Sequence, residues 1–469
     1  MSEVLSDEGE PGPSGRDLTT GSISRHMVRL SGFLMLAMIS HNIASLIETF
    51  YIGMVGTNEL AAISFTFPVV MTLQSMSMGL AVGAGSVAAR TVGGGDMQKV
   101  RRLITHCVIM ATGLAVVIAV TAYFFLSPIF GLLGASAEVL PLVIAYMSIW
   151  LIGMPVFAME SVGMTLMRAY GDAVTPGYLS AAGALLQIVI APFFIFGIGF
   201  FPELGLAGAA VGFVIARSIT FLLFTYVFVF RDKMLLLDLA GFSQSVREIL
   251  HVGLPAMAAN LIMPVSMGVT TRLLAGHGTA VVAGFGVAMR IEFMAIMMIF
   301  AVSMSISPIV GQNWGAKLYD RVKTVMRSAD IFVMAWGVFS YLLLIVFGSF
   351  FVGLINNDPH VVEAAYNYLL IGPLAVGAMG VTFNATHCFN ALGKPMPPLI
   401  ISLLRMVVVN IPLILLGNYL WGYMGIFAGT VVTTIVLAVV ARRWVNHTID
   451  RRVDRTVSAG LGRAEAGVS

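Results

Sequence analysis

RAYGDAVTP, residues 168–176, returns 222 residues later as NALGKPMPP, residues 390–398. The overlay is ungapped and sets Gly171 on Gly393 and Pro176 on Pro398. The same shift lays TVGGGDMQKVRRLI (91–104) over NWGAKLYDRVKTVM (313–326), matching Gly93 to Gly315 and Val100 to Val322. It also lays GTNELAAISF (56–65) over GTAVVAGFGV (278–287), and a lag of 220 aligns Gly205 with Gly425. Self-similarity at a fixed period marks a unit used twice. Whatever the first half builds, the second half builds again.

Composition says what that unit is made of. Of 469 residues, 58% are hydrophobic and 10% are charged, against roughly 25% charged in soluble domains. Runs of about 20 apolar residues cross a bilayer as helices, because only a helix satisfies its own backbone there. Twelve such runs are predicted: 28–53, 58–88, 103–127, 138–166, 175–199, 204–230, 249–274, 280–311, 328–353, 361–390, 397–418 and 421–442. Six per half is an even number, so both halves enter the membrane from the same side as parallel repeats. The expected fold is an all-α polytopic membrane protein, with twelve transmembrane helices in two six-helix bundles around a central cleft. Its parts are a disordered tail (1–27), an N-terminal lobe (28–230), a linker (231–248), a C-terminal lobe (249–442) and a basic tail (443–469).

Charge placement orients this scheme. Of 26 Lys and Arg residues, 22 fall in the tails, in alternate loops or at their edges, and four fall within spans. The six remaining loops hold none. By the positive-inside rule both termini are expected in the cytoplasm of a multi-pass protein of the cell membrane. The net charge of +3 is too small to suggest a nucleic-acid partner, and a monomer in the lipid bilayer is expected. Cys107 and Cys388 are isolated in apolar runs and give no metal or disulfide signal. The first 27 residues lack an apolar core and do not read as a signal peptide.

Polar residues inside the spans are the candidates for function. Glu48 lies nineteen residues after Arg29, ~28 Å along a helix. It is either an outer-interface residue or a working group. A charged residue at a helix centre costs ~2.5–3.5 kcal/mol on insertion scales. A carboxyl in a dry cavity favours its neutral form and can load and release a proton as the cavity hydrates. Ser45 lies at i−3 on the same face and could hydrogen-bond the carboxyl. His41 shares that face two turns away, and Asn42, at i−6, does not. In the second half, Asn384 and His387 are i, i+3 and could line a cavity or bridge helices. Asn260 and Pro264 suggest a local break in the seventh span. Tyr51, Asn42, Asn260, Asn384 and His387 are the substrate-cavity candidates. Glu160, Arg217, Arg272, Arg290, Glu292 and Arg405 also lie in spans. Arg217 and Arg405 are expected to pair with Glu160 or Glu292.

The stretch IETFYIGMVGTNELAAIS (47–64) resembles the first-helix signature of the multidrug and toxic compound extrusion family. VGAGSVAARTVGGGD (82–96) and VGQNWGAKLYDRV (310–322) resemble its paired loops after helices 2 and 8. GLP (253–255), RAYGDAVTP and NALGKPMPP resemble further family segments in family order. The resemblance implies export of small organic, often cationic, compounds in exchange for a cation, without a cofactor or resident metal. It gives Glu48 the place of the family's first-helix acid. QIVIAP puts Gln187 and Ala191 where many members carry Asn and Asp, and Phe213 and Met263 replace other polar positions. Sodium favours several oxygens and a proton needs one titratable group, so protons are the expected coupling ion and sodium the alternative. The coupling set is Glu48, Gln187 and Ser45. A dedicated exporter or flippase of one metabolite or lipid-linked compound is the second reading. An intramembrane enzyme would need a catalytic motif, and HExxH, GxSxG and P-loop patterns are absent. No filter-like loop interrupts the spans as a channel would require.

Overall fold

Each apolar run closes its own backbone ladder, and the chain becomes a set of long helices. The computed structural model describes residues 17–236, 238–355 and 358–466, apart from the side chains of 263–265 and 455–466. The first half holds α1 (Ile23–Val55), α2 (Thr57–Gly93), α3 (Met97–Phe124), α4 (Val139–Ala169), α5 (Val174–Ile195) and α6 (Leu206–Tyr226). The second holds α7 (Phe242–Ala275), α8 (Thr279–Gly315) and α9 (Tyr319–Gly353). Next comes α10, whose segments Pro359–Ile371 and Val376–Ala391 join through a 3₁₀ turn at Gly372–Ala375. The last stretch of helix is interrupted at Trp421 (φ −136°, ψ 18°) and Gly422 (φ 59°, ψ −143°). That break separates α11 (396–420) from α12 (423–466) and gives twelve spans among the described residues.

The repeat is visible in backbone conformation. Gly171 and Gly393, paired by the 222-residue shift, both sit in the left-handed region (φ 92° and 72°). A side chain is strained there, which is why both turns keep glycine. The alignment of Gly205 with Gly425 needs correction. Gly205 (φ 54°, ψ −128°) has its conformational counterpart in Gly422, while Gly425 packs against the Gly417 carbonyl. The first half carries a longer α5–α6 loop, residues 196–205, so the register between halves slips there.

Within the first lobe α2 packs on α4, α5 on α6, and α1 on α5. In the second lobe α10 packs on α8, α9 and α12. Between lobes, α1 packs on α8 and α7 packs on α2, a reciprocal exchange of first helices that obeys the same internal symmetry. The α2–α7 crossing is tight: a Cβ on Gly83 would collide with the Ile249 carbonyl.

The expectation of a disordered tail over 1–27 does not hold for residues 17–27. Leu18 is fully buried and α1 begins at Ile23. The Leu18 amide donates to Gln312 Oε1 (3.0 Å), and Asn313 Nδ2 donates to the Leu18 carbonyl (3.0 Å). Arg321 Nη2 holds the Thr20 and Gly21 carbonyls at 2.9 and 2.7 Å. One apolar side chain with satisfied backbone partners is enough to dock this short strap. At the other terminus, the helix runs on to Ala466.

The end of the molecule that carries the basic loops is where the two lobes meet most closely. A Cβ on Gly93 would collide with the Gln312 carbonyl, and one on Gly315 with the Arg90 carbonyl. Arg90 Nη1 donates to the Ala391 carbonyl at the end of α10 (2.8 Å). Gln312 Nε2 donates to the Ala169 carbonyl at the end of α4 (2.8 Å). Arg90 and Gln312 are equivalent under the 222-residue shift, and so are Ala169 and Ala391. Each lobe thus reaches into the other with the same bond.

Candidate functional site

Glu48 lies seven residues from the C-terminal end of α1, about 10 Å along the helix. Its carboxylate turns into the N-terminal lobe toward α5. Gln187 Nε2 donates to Glu48 Oε2 at 2.8 Å. Glu48 Oε1 and Gln187 Oε1 are both buried and without a hydrogen-bond partner among the described residues. Each orphaned acceptor is costly, since it lost its water on burial.

A second polar group lies beside the first. Arg217 on α6 bonds Glu160 on α4, Nη1 to Oε1 at 3.2 Å, and both side chains are buried. Arg217 Nη2 donates to His41 Nδ1 at 3.3 Å. The guanidinium cannot accept, so Nδ1 accepts and the ring proton sits on Nε2. His41 and Glu48 share one face of α1, seven residues apart, so one helix presents both groups to α5 and α6. Phe157 and Phe213 flank the guanidinium, with ring centroids 5.8 and 5.4 Å away. Four helices therefore contribute to one polar cluster in an apolar lobe.

The other expected residues scatter. Ser45 is exposed, its carbonyl takes the Thr49 hydroxyl (2.8 Å), and its own hydroxyl makes no bond to Glu48 among the described residues. The expected bond fails because both oxygens of Glu48 turn inward. Asn42 is exposed and donates to the Met38 carbonyl of its own helix (2.8 Å). Tyr51 packs edge-on against Phe196 at 6.1 Å, inside the lobe's apolar core. Asn260 is half-buried on α7, and the local break expected at Asn260 and Pro264 is not there: the helix runs on from Phe242 to Ala275 through both positions. Asn384 and His387 part company. Asn384 is fully buried, accepting from Ser303 Oγ (2.7 Å) and donating to Asp330 Oδ1 (2.9 Å). His387 instead lines a cavity of about 310 Å³ between the lobes, together with Gln74, Phe157, Arg168, Met304 and Pro308.

Arg217 takes Glu160 as its partner, one of the two expected. Among the described residues Arg405 takes neither: Glu292 accepts from the Tyr368 hydroxyl (2.6 Å) instead. Asp330, ion-paired to Arg442 at 2.9 Å, was not singled out in the sequence. An acid inside the apolar run 328–353 was the available signal.

Comparison with known proteins places this architecture. The family model MatE matches twice, over residues 34–193 and 255–416, one copy on each lobe. A protein of Shewanella oneidensis named FAD transporter is 31% identical over 392 residues, covering 83% of this chain and 87% of that protein. The Multidrug export protein MepA of Staphylococcus saprophyticus is 24% identical, covering 86% and 89%. The crystal structure of the Vibrio cholerae MATE transporter VcmN in the bent form superposes with a TM-score of 0.88 at 28% identity, covering 93% of this chain and 99% of that one. Two matched copies on two lobes, and a fold shared along nearly the whole length, have one meaning: the chain belongs to the multidrug and toxic compound extrusion (MatE) family of membrane transporters.

Proposed function

We propose that this transporter is a proton-coupled antiporter exporting small organic compounds, with Glu48 as the proton carrier. The observation that supports it is the pair of orphaned oxygens on Glu48 and Gln187. A proton on Glu48 Oε1 lets the carboxyl donate to Gln187 Oε1. The existing bond from Gln187 Nε2 to Oε2 remains, and the two form a closed carboxyl–amide pair. One proton thus satisfies both acceptors at once. A sodium ion would need several further oxygens beyond these two. The basic end is assigned to the cytoplasm, with both termini there, by the positive-inside rule. The inter-lobe contacts then belong to a state closed on the cytoplasmic side, and rocking of the lobes gives alternating access.

The test uses the full chain in proteoliposomes loaded with ethidium. A pH gradient alone drives efflux, a sodium gradient alone does not, and Glu48→Gln lowers pH-driven efflux to the protein-free level. Full efflux by Glu48→Gln removes Glu48 from the mechanism, and efflux driven by sodium alone reassigns the ion.

A second reading, export of a single metabolite, is favoured by the resemblance to a protein named FAD transporter. In the same vesicles it predicts saturable FAD efflux and no ethidium efflux.

A further inference from the structure

The C-terminal lobe holds a cavity of about 180 Å³ that the coupling cluster does not touch. It is smaller than the roughly 300–1,000 Å³ pockets that enclose drug-sized ligands, and so fits one ring system or one end of a longer molecule. Glu292 of α8 and Arg405 of α11 both line it. They are opposite charges in one cavity, yet among the described residues no ion pair joins them. Glu292 is held by the Tyr368 hydroxyl at 2.6 Å. Among the described residues Arg405 makes no hydrogen bond or ion pair at all. An intramembrane arginine is costly to leave unpaired.

The backbone here is built to present that arginine. Residues Leu404–Asn410 form a π-helical turn within α11. In a regular α-helix, positions five apart point about 140° away from each other, at 3.6 residues per turn. The wider π turn carries Arg405 and Asn410 to the same cavity wall. Such turns are frequent at functional sites. Asn410 is 5% exposed, and its Oδ1 is buried without a partner. Its Nδ2 makes a single long contact to Ser266 Oγ (3.4 Å). Phe285 and Phe427, stacked with centroids 5.9 Å apart, and Tyr368, edge-on to both at 5.2 and 4.9 Å, add an aromatic wall.

From this geometry we infer that the C-terminal lobe carries a binding subsite for an aromatic compound with an anionic group and an N–H donor. The anion is held by the Arg405 guanidinium, whose planar donors suit a carboxylate or phosphate. The N–H is taken by Asn410 Oδ1 or Glu292. The ring lies along Phe285, Tyr368 and Phe427, where aromatic contacts add to area burial. The subsite rests on the antiporter reading for its role in export, and it is tested by binding alone.

The test is titration calorimetry on the purified full-length protein with three matched indoles: indole-3-acetate, its neutral amide indole-3-acetamide, and cationic tryptamine. Indole-3-acetate is expected to bind at least tenfold more tightly than the other two. Arg405→Gln removes that preference, and Arg405→Lys keeps most of it. Equal binding of the acetate and the amide by the unmodified protein overturns the subsite without reference to any variant. Preference that survives Arg405→Gln overturns the role of Arg405. Proton-driven efflux without acetate preference removes the subsite and leaves the antiporter standing. Acetate preference without proton-driven efflux does the reverse.

Discussion

Arg217 is the most heavily committed single side chain in the N-terminal lobe. It bonds Glu160, reaches His41 and lies between Phe157 and Phe213. Removing one partner of a buried pair leaves the other charge uncompensated, which costs about 3–5 kcal/mol. Arg217→Leu is therefore expected to lower the thermal midpoint in detergent sharply, and the double variant Glu160→Leu/Arg217→Leu to recover most of the loss. A single variant as stable as the parent would show that the pair is not structural. Gln187 makes a separate case, because its amide is the donor to Glu48. A hydrogen bond to a charged group is worth about 1.5–3 kcal/mol. Gln187→Leu should then reduce proton-driven efflux in vesicles about tenfold or more while the protein stays folded. Sequence located these residues but could not join them. Glu160 and Glu292 were equal candidates for Arg217, because the choice depends on how each helix is rotated about its axis. Rotation leaves no mark when a helix is apolar on all faces. Ser45 failed for the same reason: helical spacing put it near Glu48, and packing turned the carboxylate away.

At the scale of elements, what carried through was length and repetition. Twelve apolar runs became twelve spans, and the turns at Gly171 and Gly393 share a backbone conformation as their alignment implied. What did not carry through were departures from regular helix. The π turn at Leu404–Asn410 has no proline or glycine to announce it. The Trp421–Gly422 break sits three residues before the glycine that the repeat had chosen. The docking of Leu18 depends on Gln312 and Asn313, almost 300 residues away. The α2–α8 crossing gives a prediction at this scale. Gly93 meets the Gln312 carbonyl, so any side chain there pushes the two helices apart at the basic end. Overpacking of this kind typically costs about 1–3 kcal/mol, and about 1.4 kcal/mol is a tenfold change in population. Ser307 lines the cavity just beyond the crossing, and both native cysteines are buried. A cysteine at position 307 should react with an impermeant maleimide from the basic side about tenfold faster with Gly93→Val than without it. Unchanged reactivity would mean the crossing yields without opening.

At the scale of the whole molecule, the twofold character of the closure matters most. Arg90 reaches from the first lobe to the Ala391 carbonyl, and Gln312 reaches from the second to the Ala169 carbonyl. Under the proposed rocking of the lobes, a rigid rotation about their common axis strains both repeat-related bonds at once. On that proposal, closure at this end is expected to behave as a single two-state step. Two states of this kind shift by the free energy that distinguishes them. The Arg90 bond is charge-assisted and the Gln312 bond is neutral, so their joint loss is expected to weaken closure by roughly 2–4 kcal/mol. Met97 and Leu318 are exposed at the basic end, one on each lobe, and accept spin labels without disturbing the contacts. Pulsed electron–electron resonance on the labelled parent should give one short distance. Arg90→Ala/Gln312→Ala should add a longer one as a large fraction of the molecules, and each single variant should add much less of it. A distance distribution unchanged in the double variant would place the closing energy in the glycine crossings and the docked Leu18 strap, and not in the paired bonds.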